Sequence, residues 1–305
     1  MDFFVQQVVN GLTLGGVYAL IALGYSLVYG VLKLLNFAHG DVYMVGAFIG
    51  FGVLTAFGGP ASLAAPVPLV LAAMFLAAAV GSGVLGVAIE RFAYRPLRDA
   101  TRIAPLITAL GVSFFLQNTV LLLLGADVRT YDTSEFIPAS TGVDVGPLSI
   151  SLVRILVIVA AAALMIALAR LVGRTKLGRA MRAVAFDREA AQMMGVDIDR
   201  TIVATFFVGS ALAGVAGVMV GLVFLQTSHL MGFIAGLKGF TAAVVGGIGS
   251  VPGAMLGGLL IGLAESFTAA YISSTFQNLI VFGILIAVML LRPFGLLGTP
   301  ELNKV

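Results

Sequence analysis

The 305 residues contain no cysteine, which excludes disulfides and thiolate metal sites. Histidine is nearly absent: His39 and His229 are the two, far apart along the chain, and they give no basis for a metal site. Charge is scarce too. Asp, Glu, Lys and Arg make up 10% of the chain, against about 25% in soluble domains. The net charge of +3 does not point to nucleic acid, because the distribution of basic residues is explained by membrane topology. No Lys or Arg precedes Lys33, so the N-terminus lacks the basic region of a cleaved signal peptide. The first apolar segment is therefore expected to stay in the mature protein. Walker A, HExxH and GxSxG sequences are missing, as are paired carboxylates within a helical turn at membrane depth. The chain is expected not to be an enzyme and to hold no cofactor. If ATP drives it, a partner subunit must bind the ATP.

What is present is hydrophobic. Sixty percent of residues are apolar, and runs near the ~20 residues needed to cross about 30 Å of hydrocarbon recur throughout. These predict an all-α, polytopic transmembrane helical bundle of about 8–9 membrane segments, one or two of them broken or re-entrant, forming one transmembrane domain over 1–305. The segments fall at about 8–31, 40–57, 66–89, 103–124, 152–172, 201–224, 237–250, 252–272 and 276–292. The seventh is short for a crossing and is expected to be part of a broken or re-entrant span.

Charge orients the bundle. Arg91, Arg95, Arg98 and Arg102 fill one connection, and the basic stretch around 173–200 fills another two spans later. Both belong on the cytoplasmic side. The connection between those spans, 125–151, carries Asp127, Asp132, Glu135 and Asp144 against Arg129 alone and suits the outer face. The N-terminus is then outside. Arg292 and Lys304 place the C-terminus in the cytoplasm, which fits the parity only if 237–250 crosses.

Small residues recur at four-residue spacing: Gly209, Ala213, Gly217 and Gly221, then Gly253–Gly257 and Gly258–Gly262. Such stripes let helices approach closely, either within the bundle or at a face toward a second permease subunit. Polar residues at membrane depth are costly, at about 2.5–3.5 kcal/mol for a charge on insertion scales. Those present are therefore candidates for a translocation path. Asn36, His39 and Asp41 interrupt the run between the first two segments, either as a helix start capped by Asn36 or as a broken helix near the path. Gln117 and Asn118 lie in the fourth segment. Glu265 lies in the eighth, either facing protein or water or sitting at a span end. Gly246, Gly247 and Gly249, with Pro252 and Gly253, forbid a relaxed straight helix. No Lys follows those glycines as a phosphate-binding loop requires. Lys238 is expected to snorkel to an interface.

Within 173–200, Ala180, Met181, Val184, Ala191 and Met194 alternate with Arg179, Arg182, Asp187, Arg188 and Glu189. This predicts one short amphipathic helix over 178–195 closed by Gly195 in the left-handed region. It would either dock in a partner's groove or lie as a solvated tether beside lipid headgroups.

Residues 10–48, NGLTLGGVYALIALGYSLVYGVLKLLNFAHGDVYMVGAF, resemble the permeases of high-affinity branched-chain amino acid ABC importers. So do 236–266, GLKGFTAAVVGGIGSVPGAMLGGLLIGLAES, and the late RPFGLLG at 292–298. Glu189-Ala190-Ala191-x-x-x-Gly195 resembles the core of the ABC-importer coupling loop, although its Ile-x-Leu-Pro continuation is absent. The resemblance implies a bacterial inner-membrane subunit, the first of two related permeases. Two cytoplasmic ATPase subunits would drive the pair, and a periplasmic substrate-binding protein would deliver Leu, Ile or Val. It also implies that Asp187, Arg188, Glu189, Ala190, Ala191 and Gly195 couple to the ATPase. Importers of urea and short amides share the NFAHG-like segment at 36–40 and are the alternative within the same family. An ATP-independent transporter using His39, Asp41 and Glu265 as an ion path, or a structural scaffold, are the competing classes.

Overall fold

The computed structural model describes residues 2–59, 65–98, 100–101, 103–131, 133, 137, 141–145 and 148–298. Eleven α-helices run through them: α1 Asp2–Leu32, α2 His39–Ala56, α3 Val67–Ile89, α4 Ile103–Leu124, α5 Leu152–Arg174, α6 Lys176–Phe186, α7 Arg188–Met193, α8 Ile198–Phe224, α9 Met231–Gly246, α10 Val251–Tyr271 and α11 Gln277–Leu291. Among the described residues, eight of these helices are long and apolar enough to cross a membrane, and α9 is a shorter apolar helix. The polytopic helical bundle expected from hydropathy is the fold. The sequence reading missed two small antiparallel ribbons at the end of the bundle opposite the basic connections. β1 Arg129–Thr130 pairs with β4 Gln226–Thr227, and β2 Gly142–Val145 pairs with β3 Leu148–Ser151. Asp132 and Glu135 of the outer connection, Arg102, and Lys304 lie outside the described residues.

α1 is the axis of the bundle. Its apolar residues from Val17 to Leu32 are almost all buried, against α10, α8, α9 and α5. Lipid supplies no hydrophobic drive between helices, so close contact must come from small residues. A Cβ at Gly258 would strike Ala19, and one at Gly262 would strike the backbone of Gly15. On α8, Gly209 meets Gly24, Gly217 meets Tyr43 of α2, and Gly221 meets Tyr131. The small-residue stripes are thus consumed inside the chain and do not form a face toward a second subunit. α11 is peripheral, with Leu279, Ile286, Leu290 and Leu291 exposed along it.

Several helix starts follow from local chemistry. Thr175, Asp187, Asp197 and Ser250 each accept a bond from a backbone N–H of the first turn of α6, α7, α8 and α10. α3 runs on through a π-helical turn, Glu90–Tyr94, and a 3-10 turn, Arg95–Leu97, where Pro96 stops regular helix.

Two boundaries differ from expectation. α9 spans Met231–Gly246, starting six residues before the expected segment and ending before Gly247. It runs from the β1–β4 ribbon to the basic end of the bundle, where Gly249 packs near Gly30 of α1. That path supplies the parity needed to bring Arg292 to the same end as Arg91 and the 173–200 stretch. The 178–195 segment is not one helix. The chain extends at Asp187 (φ −156°, ψ 113°) and restarts as α7, because the Asp187 carboxylate caps the Ala190 N–H at 3.0 Å. Gly195 is in the left-handed region at φ +81°, as a glycine stop requires.

Candidate functional site

The polar interruption after α1 is a return loop. From Lys33 the chain turns back along α1, so that His39, at the start of α2, packs against Gly24. Gly24 lies eight residues before the end of α1, about 12 Å up the helix at 1.5 Å per residue. The N-terminus of α2 therefore opens at depth. Asn36 does not cap it: the cap position is Ala38, without a side-chain bond, and the Asn36 side-chain amide oxygen instead accepts from the Tyr94 hydroxyl at 3.3 Å. His39 is 1% exposed, edge-on to Tyr25 at 4.8 Å between ring centroids, with its ring beside the Ile21 carbonyl.

Asp41 is 1% exposed in the first turn of α2, where the helix dipole favours an anion. Its carboxylate accepts from the Ser113 hydroxyl and, at 3.0 Å, from the Gln117 amide, both on α4. Sequence reasoning picked out Asp41 and Gln117 but not Ser113, which differs from Gln117 by one helical turn. Asn118 is not brought to this cluster. It is exposed on the outer surface of α4 and bonds back to the Phe114 carbonyl.

A second cluster joins three helices. Lys238 of α9 does not snorkel to an interface. It is 7% exposed and its Nζ lies 2.6 Å from Glu265 Oε1 on α10. The Tyr18 hydroxyl of α1 donates to the other carboxylate oxygen at 2.8 Å. Glu265, 5% exposed, is therefore not a span-end residue at a water boundary. A charge in hydrocarbon must find a partner, and the opposite signs of these two buried residues were the available signal. They sit in the wall of a cavity of about 280 Å³ among α1, α2, α8, α9, α10 and the outer connection, with Tyr43, Leu14, Val220 and Ile234 as other walls.

Gly246, Gly247 and Gly249 lie at the basic end and do not meet the cavity. Gly247 (φ +112°) and Gly249 (φ +88°) carry the chain from α9 into α10. The freed carbonyls of α9 are taken up by the chain after α11: Leu296 N–H donates to Val245 at 2.9 Å and Leu297 N–H to Gly246 at 2.8 Å. The 292–298 segment is therefore the C-terminal closure of α9.

The 173–200 stretch packs its apolar side, Met181, Val184 and Ala191, against the bundle. Phe186, Glu189, Met193, Met194 and Gly195 face outward, and Ala190 is half-buried. The Arg188 guanidinium donates to the Leu32 carbonyl at 3.2 Å and reaches Val31 at 3.5 Å, the last turn of α1. Beside it lies a network that sequence reasoning did not find. Arg98 pairs with buried Glu90 and, together with Arg95, with Asp199 at the start of α8.

Residues 7–290 match the family described as the branched-chain amino acid transport system permease component. The chain is 44% identical to the high-affinity branched-chain amino acid transport system permease protein BraD of Pseudomonas aeruginosa, over 99% of this chain and 98% of that one. It is 42% identical to LivH, the protein so described in Escherichia coli, with the same coverage. A probable branched-chain amino acid transport permease of Methanocaldococcus jannaschii is 30% identical over 92% of this chain and 88% of its own length. The chain is a multi-pass inner-membrane protein of the branched-chain amino acid ABC transporter permease family.

Proposed function

We propose that this chain is one of two related permease subunits of an importer of Leu, Ile and Val, worked by separate ATPase subunits and fed by a periplasmic binding protein. The observation that carries the mechanism is the contact of Arg188 with the last turn of α1. α7 is a six-residue lever with exposed Met193 and Met194 on its outer side. Such flexible apolar side chains suit a partner's groove. A push on α7 reaches α1 through Arg188, and α1 in turn carries Tyr18 and lies against α10, α8 and α9. The coupling residues in this reading are Asp187, Arg188, Glu189, Ala190, Ala191 and Gly195. ATP closes the motor pair, the lever moves, and the helices rock on their small-residue contacts between outward and inward access. A ligand or motor shifts that equilibrium only by its differential contact with the two states.

The test is uptake into proteoliposomes holding the permease pair, its ATPase subunits and the binding protein. Leucine uptake that needs ATP and survives an uncoupler supports the reading. Uptake abolished by the uncoupler and indifferent to ATP overturns it in favour of an ion-coupled transporter. Competition by urea but not by isoleucine or valine would move the substrate to short amides.

A further inference from the structure

The mechanism above leaves a buried ion pair in a cavity wall unexplained. Glu265 has both oxygens engaged, one by Lys238 and one by Tyr18, yet a carboxylate has about four acceptor sites. Lys238 has three donors, and Glu265 is its partner. The pair therefore offers unsatisfied capacity of both signs, side by side. The cavity, about 280 Å³, lies just below the roughly 300–1,000 Å³ of small-molecule clefts and holds far more than one water. Leu14, Val220, Ile234 and Ala235 give it an aliphatic side, flanked by Phe224, Met231, Tyr43 and Thr227. Val128, Gln226 and Ser228 also line it and lie toward the outer end, so the approach is from the side on which a binding protein would release its load.

We propose that this cavity is a transient binding site for the zwitterion of a branched-chain amino acid, with Lys238 taking the α-carboxylate and Glu265 the α-ammonium. The proposal rests on the importer reading and adds its recognition chemistry. The zwitterion bridges the pair without breaking it. Each ligand charge meets its opposite, and the branched side chain lies on the aliphatic wall. Tyr18 holds Glu265 from the axis helix, so occupancy is felt at α1, the helix the lever contacts. A salt bridge that only held α9 to α10 would need neither the cavity nor the aliphatic wall.

A pair that serves structure alone is replaced by two neutral groups with little loss, whereas removing one partner strands the other. The double variant Lys238→Met/Glu265→Gln, in the reconstituted assembly, therefore separates the roles. It is expected to assemble with its ATPase subunits at the parent's unfolding midpoint while leucine uptake falls at least tenfold. Uptake within twofold of the parent overturns the proposal. Because the chain has no cysteine, Ile234→Cys gives a second measurement that keeps the pair intact. Saturating leucine is expected to slow alkylation there at least threefold, with lysine ineffective, and equal rates with and without leucine overturn the proposal. If the parent assembly takes up leucine with ATP and either variant gives the overturning result, only the cavity assignment fails. Absence of ATP-driven leucine uptake in the parent removes the importer reading itself.

Discussion

Arg188 closes the C-terminal end of α1: its guanidinium donates to the Leu32 carbonyl at 3.2 Å, 156 residues away in sequence. The last carbonyls of a helix lack intrahelical partners and carry the negative end of its dipole, so a cation there is doubly favoured. Arg188→Ala is expected to remove a charged-group hydrogen bond worth about 1.5 kcal/mol. Assembly should survive, while leucine transported per ATP hydrolysed drops severalfold. Arg188→Lys should recover part of it. Parallel assays of uptake and hydrolysis check this, and an unchanged ratio in Arg188→Ala would remove Arg188 from the coupling path.

Gly195 differs from the packed glycines because nothing lies within 4 Å of where a Cβ would stand. Its constraint is the backbone alone, φ +81°. A β-branched residue there costs about 1–2 kcal/mol, whereas Asn tolerates the left-handed region. Gly195→Val is expected to lower uptake while hydrolysis continues, and Gly195→Asn to behave like the parent. Equal uptake in the Val and Asn variants would contradict the need for this turn.

The α1–α10 contact makes the opposite prediction. Gly262→Ala drives a methyl into the backbone of Gly15, where neither partner can yield easily. Overpacking of this kind costs about 1–3 kcal/mol, so the thermal unfolding midpoint in detergent should fall. Gly52→Ala, with open space around its Cβ, serves as the control and should leave the midpoint in place.

The inner-end ion network should divide by burial. Glu90 is fully buried and Arg98 nearly so, whereas Arg95 and Asp199 are about half exposed. Glu90→Ala removes the buried partner of Arg98, leaves it the half-exposed Asp199 alone, and is expected to cost more than about 1 kcal/mol. Arg95→Ala breaks an exposed pair worth about 0–1 kcal/mol, an effect that salt screens further. Unfolding midpoints of the two variants at low and high salt measure the contrast, and equal losses would contradict it.

Hydropathy alone located the long helices, because runs such as 103–124 and 152–172 have no other stable state in a membrane. The boundary at Gly195 was legible because a glycine stop decides it, whereas the glycines after Val245 showed that the chain must break but not that the helix ends at Gly246. The boundary was lost at Asp187, whose capping role cannot be told from an ordinary polar helix position. The depth of α2 was not legible. Nothing in LLNFAH states that the chain doubles back, and Asn36 had the chemistry of a cap without the position for it. Lys238 and Glu265 were each visible as a charge in an apolar run. Their pairing was missed because each was weighed alone, as a snorkelling Lys and a span-end Glu. Ser113, Tyr18 and Tyr43 carry no signal in a single sequence, since such residues are unremarkable until a neighbouring helix brings a charge to them.

The doubling back of residues 33–38 has a consequence for biogenesis. The second hydrophobic segment carries His39 and Asp41 and has the lowest mean hydropathy among the eight spanning helices, 1.2. Among the described residues, Asp41 finds its side-chain donors at Ser113 and Gln117, 72 and 76 residues further on. During synthesis, α2 is therefore expected to reach its final depth only when α4 emerges. Nascent chains halted before Ile103 should leave positions 39–41 open to water-soluble labels from the cytoplasmic side, and chains continued past Leu124 should close them.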